Sequence, residues 1–354
     1  MKILFLCKRF YTSKDLIGDR FGRLFHIPVQ LARLGAEVSV IALDYRNACA
    51  TETMIEGVAF RAEPAKASRL VGTMFRLRQT VRNSRPDVII ASGDSHIGFF
   101  ARLLSLSVGA KFVFDVYDYY PAFSGNRLPG MKPMFRAAVR KADLVFCASV
   151  PLLDKLLVQN QHVALVENGV DRAVFFPMDK RSARESLGLP IDSPIFGYFG
   201  AITPKRGPLL LQAAELLRAE FGGLRVLMAG PIIGINPSSE FLDYRGILPQ
   251  SGLSLLIAAC DVVVVPYERD AQIDLSGACK IAEYLACERP VVATRVAGHE
   301  LIFGDTPDSL CEPIASDLAR ALSACFDKPR IAPFPDKYDW SNIGRSVMDS
   351  IWAL

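Results

Sequence analysis

Several signatures are missing from this 354-residue chain, and each absence removes a function class. No Gly-x-Gly-x-x-Gly turn follows the first apolar strand; Lys8-Arg-Phe-Tyr-Thr-Ser13 stands there instead, so a dinucleotide site is excluded. No Walker-type phosphate loop occurs. The eight cysteines are scattered, and no pair has the Cys-x-x-Cys spacing of a zinc or redox site. They read as small buried hydrophobes of a reduced protein. No Asp-x-Asp occurs, so no metal site is expected, nor any cofactor. No uncharged apolar run reaches membrane-spanning length; Leu253–Tyr267 is short and carries Asp261. After Met1-Lys2 the apolar run Ile3–Cys7 ends in Lys8-Arg9, too short for a signal-peptide core. A cytoplasmic chain is the expectation.

What is present is enough apolar residue, 51%, to build two cores, and the length suits two domains of about 170 residues each. Short β-branched runs alternate with helical stretches, the mark of parallel α/β architecture. In the first half Lys2–Cys7, Glu37–Ala42, Val88–Ala91, Lys111–Asp115, Leu144–Ala148 and Val163–Val166 read as buried strands. The pattern restarts with Ile195–Phe199, Arg225–Ala229, Asp261–Val265 and Val291–Thr294. The join falls near Asn168-Gly-Val-Asp171, a turn signal. The fold class is therefore α/β with two Rossmann-like domains, 1–170 and 171–339, and a last helix over 340–354. Ser341 is in place to cap that helix. Pro28 should kink or split a helix running from Asp19 to Leu34, because it lacks an N–H. One phrase recurs: Arg-Pro-Asp-Val-Ile-Ile at 85–90 and Ala-Cys-Asp-Val-Val-Val at 259–264 each set a carboxylate before a buried strand.

Net charge is +4, unevenly spread. Residues 1–167 hold 23 Lys+Arg against 14 Asp+Glu, while the remainder holds 18 against 23. The first half thus suits an anionic neighbour. Arg78, Arg82 and Arg85 share one helical face, and Lys132, Arg136 and Arg140 recur at every fourth residue. They read either as solvated faces or as a contact with anionic lipid. No nucleic-acid recognition motif accompanies them.

In open parallel sheets ligands bind beyond the carboxyl ends of the strands. Two loops of the second half suit a diphosphate. Gly200-Ala-Ile-Thr-Pro-Lys205-Arg206-Gly207 follows a strand and opens a helix, combining close backbone approach, free N–H groups and two cations. The alternative is a helix start with surface cations. Lys280 falls in the first turn of another helix, an unfavourable place for a cation unless an anion lies beside it. Glu283 is one turn on, on the same face. That geometry fits a phosphate-binding Lys with a ribose-binding Glu, and equally an ordinary surface pair.

These pieces, in this order, resemble GT-B fold glycosyltransferases, particularly family 4 and its bacterial exopolysaccharide relatives. The resemblance runs over nearly the whole chain: Asn168–Asp171, Gly200–Gly207, Tyr244-Arg-Gly-Ile-Leu-Pro249, Asp261–Pro266, the Lys280–Glu283 helix, Pro290–Thr294 and the helix of Trp340. It implies two Rossmann-like domains facing across a cleft, with the last helix returning to the first domain. It also implies a nucleotide-diphosphate sugar, of UDP or GDP type, as donor substrate. Arg206 and Lys280 then hold the diphosphate, with Gly18, Gly200, Lys205, Ser276 and Gly277 beside it. Glu283 takes the ribose hydroxyls, and Tyr244, Arg245 and Gly246 lie near the base. Two positions depart from the family: Ala201 stands where many members have Arg, and Leu275 where they have Glu.

The first half would hold the acceptor, a glycan or lipid-linked saccharide. Asp118, in Asp115-Val-Tyr-Asp118-Tyr-Tyr-Pro121, either orients or deprotonates the acceptor hydroxyl, or makes an Asx turn; Tyr119 lies beside it. His96 either lines the cleft or only starts a helix. Gly18-Asp19-Arg20 either closes over donor phosphates or caps a helix. The expected activity is metal-independent hexosyl transfer in polysaccharide biosynthesis at the inner face of the membrane. A sugar-nucleotide epimerase of the same fold and a non-catalytic partner subunit are the alternatives.

Overall fold

The computed structural model describes all residues except 12–13, 48, 67–69, 124–127, 271–272, 278 and 297. Its first compact unit comprises Met1–Gly169, Leu275–Gly277 and Trp340–Leu354. Its elements run β1 (Lys2–Lys8), β2 (Phe10–Tyr11), β3 (Lys14–Asp15), α1 (Arg23–Arg33), β4 (Glu37–Asp44), β5 (Thr51–Ile55), β6 (Val58–Pro64) and α2 (Leu70–Ser84). They continue with β7 (Val88–Ser92), α3 (Ser95–Leu106), β8 (Lys111–Val116), α4 (Met131–Lys141), β9 (Leu144–Cys147), α5 (Val150–Leu157) and β10 (Val163–Leu165). The sheet order is β10-β9-β8-β7-β1-β4-β6-β5, parallel except for the edge strand β5.

The second unit comprises Val170–Asp274 and Ala278–Asp339. It contains α6 (Lys180–Leu187), β11 (Ile195–Phe199), α7 (Pro208–Leu217), β12 (Arg225–Ala229), β13 (Leu242–Tyr244) and α8 (Gln250–Ala259). It continues with β14 (Val262–Val265), α9 (Cys279–Ala286), β15 (Val291–Thr294), β16 (Leu310–Cys311) and α10 (Ala315–Asp327), and α11 (Trp340–Trp352) follows in the first unit. The second sheet is parallel in the order β13-β12-β11-β14-β15-β16. Both are the Rossmann-like α/β sheets expected.

The inner strands, such as β1, β7, β8, β11, β14 and β15, are apolar because helices cover both faces, as in buried parallel sheets. In each sheet the chain steps outward from a central strand and then jumps to its other side. These reversals lie between β1 and β7 and between β11 and β14. They are the topological switch points where ligands bind.

The recurrent Asp-before-strand phrase has a physical role. Asp87 accepts from the Lys2 N–H (2.7 Å) and Asp261 from the Ile195 N–H (2.8 Å). Each carboxylate caps the otherwise unpaired first donor of the adjacent central strand. Asp143, just before β9, likewise accepts from a strand N–H, that of Phe112, the second residue of β8, at 2.8 Å.

Two local expectations fail. Helix α1 is not split and is shorter than its pattern: it starts after Gly22, whose φ is 69°, and continues past Pro28 to Arg33. Pro28 is buried and sacrifices a single backbone bond, which packing of α1 on β4 and α11 offsets. Ser341 does not cap α11, because Trp340 is already its first residue. Trp340 is fixed by stacking on His26, at 5.0 Å between ring centroids and 9° between planes.

Candidate active site

In the second unit the parts gather at the carboxyl ends of β11, β14 and β15. Beyond β11, a Cβ on Gly200 would collide with Lys280 Cε, so glycine is required for the Lys280 side chain to lie against the backbone. A Cβ on Gly230 would likewise strike the Gly200 carbonyl, so the loops after β11 and β12 meet backbone to backbone. The Gly200–Gly207 loop then turns through Arg206 N–H to Thr203 O (3.0 Å) and delivers the Arg206 guanidinium over the Tyr267 ring, 4.7 Å from its centroid.

Tyr267 follows β14 and is almost fully buried. Its N–H donates to Thr294 Oγ1 (3.1 Å), whose hydroxyl donates back to the Tyr267 carbonyl (2.7 Å). His299 is buried against the Thr294 carbonyl at 2.8 Å, and burial depresses its basicity. Tyr267 also sits edge-on to Tyr198, whose hydroxyl donates to Ala201 O (2.9 Å). The Lys280 ammonium is held above its ordinary pKa by the Tyr267 phenol first and by Glu283 next, while burial and Arg206 oppose. Two like charges, Arg206 and Lys280, are thus brought beside one aromatic ring. Such an arrangement favours an anion between them.

The remaining donor-side candidates are placed as follows. Lys205 is ion-paired with Asp270. The Tyr244 hydroxyl donates to Gly230 O (2.7 Å), fixing the end of β13 against the Gly200–Gly230 contact. The Arg245 guanidinium is committed to Asp243 (2.6 and 2.7 Å). Ser276 and Gly277 group with the first unit: Ser149 Oγ donates to Leu275 O (2.9 Å), and a Cβ on Gly277 would meet Ala148 O at 2.8 Å. Gly18 lies in a turn organised by Asp15, whose carboxylate takes Arg9 at 2.8 and 3.0 Å and the Ile17 N–H at 3.1 Å.

In the first unit the polar groups collect beyond β1, β4, β7 and β8. Asp118 accepts a hydrogen bond from the Tyr11 hydroxyl, and its carbonyl accepts the Tyr120 N–H (2.9 Å). Tyr119 is half-buried and stacks edge-on to Phe135. His96 pairs with the Tyr45 hydroxyl at 2.8 Å; burial lowers its pKa, with Asp94 opposing. Asp94 is ion-paired with Lys8. Beneath lies a buried pair: Arg23 holds Asp115 at 2.6 and 3.1 Å and reaches Val166 O (2.9 Å) and Asn168 (3.1 Å).

Tyr267, Arg23 and Asp115 were not singled out by sequence. Tyr267 carried a usable signal, standing directly after an apolar strand and Pro266 at the carboxyl edge. Arg23 carried none, since only the fold brings it to Asp115.

Two sheets, each with a switch point at which charged loops gather, define the GT-B fold. Solved structures show the same architecture. HepE of Anabaena, in complex with UDP and glucose, matches over all of both chains with a TM-score of 0.73 at 17% identity. Sucrose-phosphate synthase of Thermosynechococcus elongatus matches over 100% of this chain and 94% of its own, with a TM-score of 0.70 at 19% identity. By sequence, residues 24–169 match the family described as glycosyl transferase 4-like domain, and residues 193–328 match glycosyl transferases group 1. The chain belongs to the family 4-like glycosyltransferases of the GT-B fold. A D-inositol 3-phosphate glycosyltransferase of Mycobacterium tuberculosis is 35% identical over 151 residues. That stretch spans 38% of this chain and 30% of the relative.

Proposed function

We propose that the chain transfers a hexosyl group from a nucleotide-diphosphate sugar to a hydroxyl of a glycan or lipid-linked saccharide. The observation that carries this reading is the convergence of Arg206 and Lys280 at Tyr267. Their charges stabilise a diphosphate as it departs, a task that grows with the negative charge developing in the transition state. Glu283, on the same helix as Lys280, takes the ribose hydroxyls, and Tyr244 borders the base.

In the transfer, the bond from the anomeric carbon to the diphosphate oxygen breaks, and the acceptor oxygen bonds to that carbon. The acceptor proton passes to Asp118 in an inverting reaction, or to the departing phosphate in a retaining one. Tyr11 holds the Asp118 carboxylate in one orientation through its hydroxyl. Fixed cations do the work of a metal in this reading, so transfer persists in EDTA.

The test is a thermal-shift series with UDP, GDP and their sugars on the wild type and on Lys280→Ala. A ligand of the native state raises the melting temperature. The variant should lose about tenfold or more in affinity, since a charge-assisted hydrogen bond is worth roughly 1.5–3 kcal/mol. Equal affinity in both proteins would remove Lys280 from the site.

A further inference from the structure

Right-handed crossovers put α1 on one face of the first sheet and α2, α3 and α4 on the other, because the chain reverses direction between β6 and β7. These last three helices contain no Asp or Glu. Arg76 is drawn onto Glu63 at 2.5 Å. The exposed Arg78 and Arg82 of α2, and Lys132, Arg136, Arg140 and Lys141 of α4, enter no ion pair with a described residue.

Apolar side chains lie in solvent among them. On α2, Thr73, Leu77 and Val81 are buried, while Val71 (86% exposed) and Phe75 (71%) stand on the outward stripe that continues to Arg78 and Arg82. Leu106 at the end of α3 and Leu128 before α4 are exposed too. A solvated cationic face has no use for an outward Phe and Val. A nucleic-acid surface would engage the cations but leave the aliphatic groups in water. A bilayer satisfies both, taking the apolar groups between headgroups and the cations at the phosphates.

We propose that the α2–α4 face of the first unit docks on an anionic membrane surface, with Val71 and Phe75 as the inserted groups and Arg136 and Arg140 among the phosphate contacts. The occupant is the lipid surface itself, independent of which sugar is transferred.

The full chain is sedimented with phosphatidylcholine vesicles and with vesicles that also contain phosphatidylglycerol. Binding is expected only to the anionic vesicles, falling with salt as the Debye length contracts from about 10 Å at 0.1 M to about 3 Å at 1 M. Each surface cation removed costs about fivefold in partitioning, so Arg136→Glu with Arg140→Glu should lose well over tenfold. Phe75→Ser should lose several-fold without flattening the salt dependence. Phe75, Arg136 and Arg140 all lie in solvent, and unchanged melting temperatures confirm folding. Equal binding to neutral vesicles, none to anionic ones, or undiminished binding of the double variant overturns the proposal. So does a Phe75→Ser chain that binds vesicles as the wild type does.

Discussion

Tyr267 joins the two cations of the donor side. Arg206 lies on its face, and Lys280 responds to its phenol. A cation over an aromatic face gains about 0.5–2 kcal/mol, more as water is excluded. Tyr267→Leu keeps an apolar body but removes the face, so nucleotide affinity should fall by about two- to thirtyfold. Tyr267→Phe keeps the face and loses only the hydroxyl, so it should retain most of the affinity. Calorimetric titration with a nucleoside diphosphate measures both. If Leu and Phe behave alike, the ring is packing and the hydroxyl is the part that matters. The sequence displayed Lys280 through its place in a helix's first turn, where a cation needs an anion. It displayed Tyr267 only by position, because nothing in a Pro-Tyr pair says which loop will fold over the ring.

Among the elements, the apolar parallel strands were legible from their runs of Val, Ile and Phe. The β5–β6 hairpin was not. Its turn uses Glu56 and Gly57, both at positive φ (52° and 79°), and a Glu in that conformation lacks the Asn-Gly or Asp-Gly look of such turns. β5 is also solvent-exposed from Thr51 to Met54, with Ile55 alone buried, so no alternating buried face sets a pattern. The strand-entry aspartates were visible as a phrase, and their use follows from the sheet. They differ in what else they hold. Asp87 is exposed beside a single backbone donor, whereas Asp261 also binds Lys180 (2.6 Å) and the buried Arg184 (2.7 Å), tying α6 to the second sheet. Removing one partner of a buried pair costs about 3–5 kcal/mol, and removing one exposed hydrogen bond about 1 kcal/mol or less. Asp261→Ala should therefore shift the urea midpoint strongly and Asp87→Ala barely. Equal shifts would mean that Arg184 is satisfied by its carbonyl partners alone.

The whole molecule loses stability toward both extremes of pH: burial pushes the thiols of Cys7, Cys147, Cys287 and Cys311 up to about 12, so base favours the unfolded chain, and a different set of groups acts in acid. His299 and His96 are depressed by burial, so the native state favours their neutral forms. Below the ordinary value of about 6.5 the unfolded chain binds protons that the native chain refuses, and stability falls with pH. Asp15 and Asp44 are lowered despite burial, Asp15 chiefly by Arg9 and Asp44 chiefly by Asn47. Their contribution is present above the unfolded carboxylate value and is lost as pH falls through the native one. The raised Lys280 contributes below its unfolded value and loses that contribution only at high pH. Stability should thus be highest near about pH 7 to 8, fall in base as the unfolded thiols ionise, and decline toward acid in two stages, histidines first and carboxylates below about pH 4. Each fully refused proton steepens the first stage by about 1.4 kcal/mol per pH unit. Urea unfolding at pH 7.5, 6.0, 5.5 and 5.0 would follow it, with His299→Gln as the control. The variant should start less stable, having lost the bond to Thr294, yet decline less between pH 6 and 5. A parallel decline in variant and wild type would place the acid sensitivity elsewhere than His299.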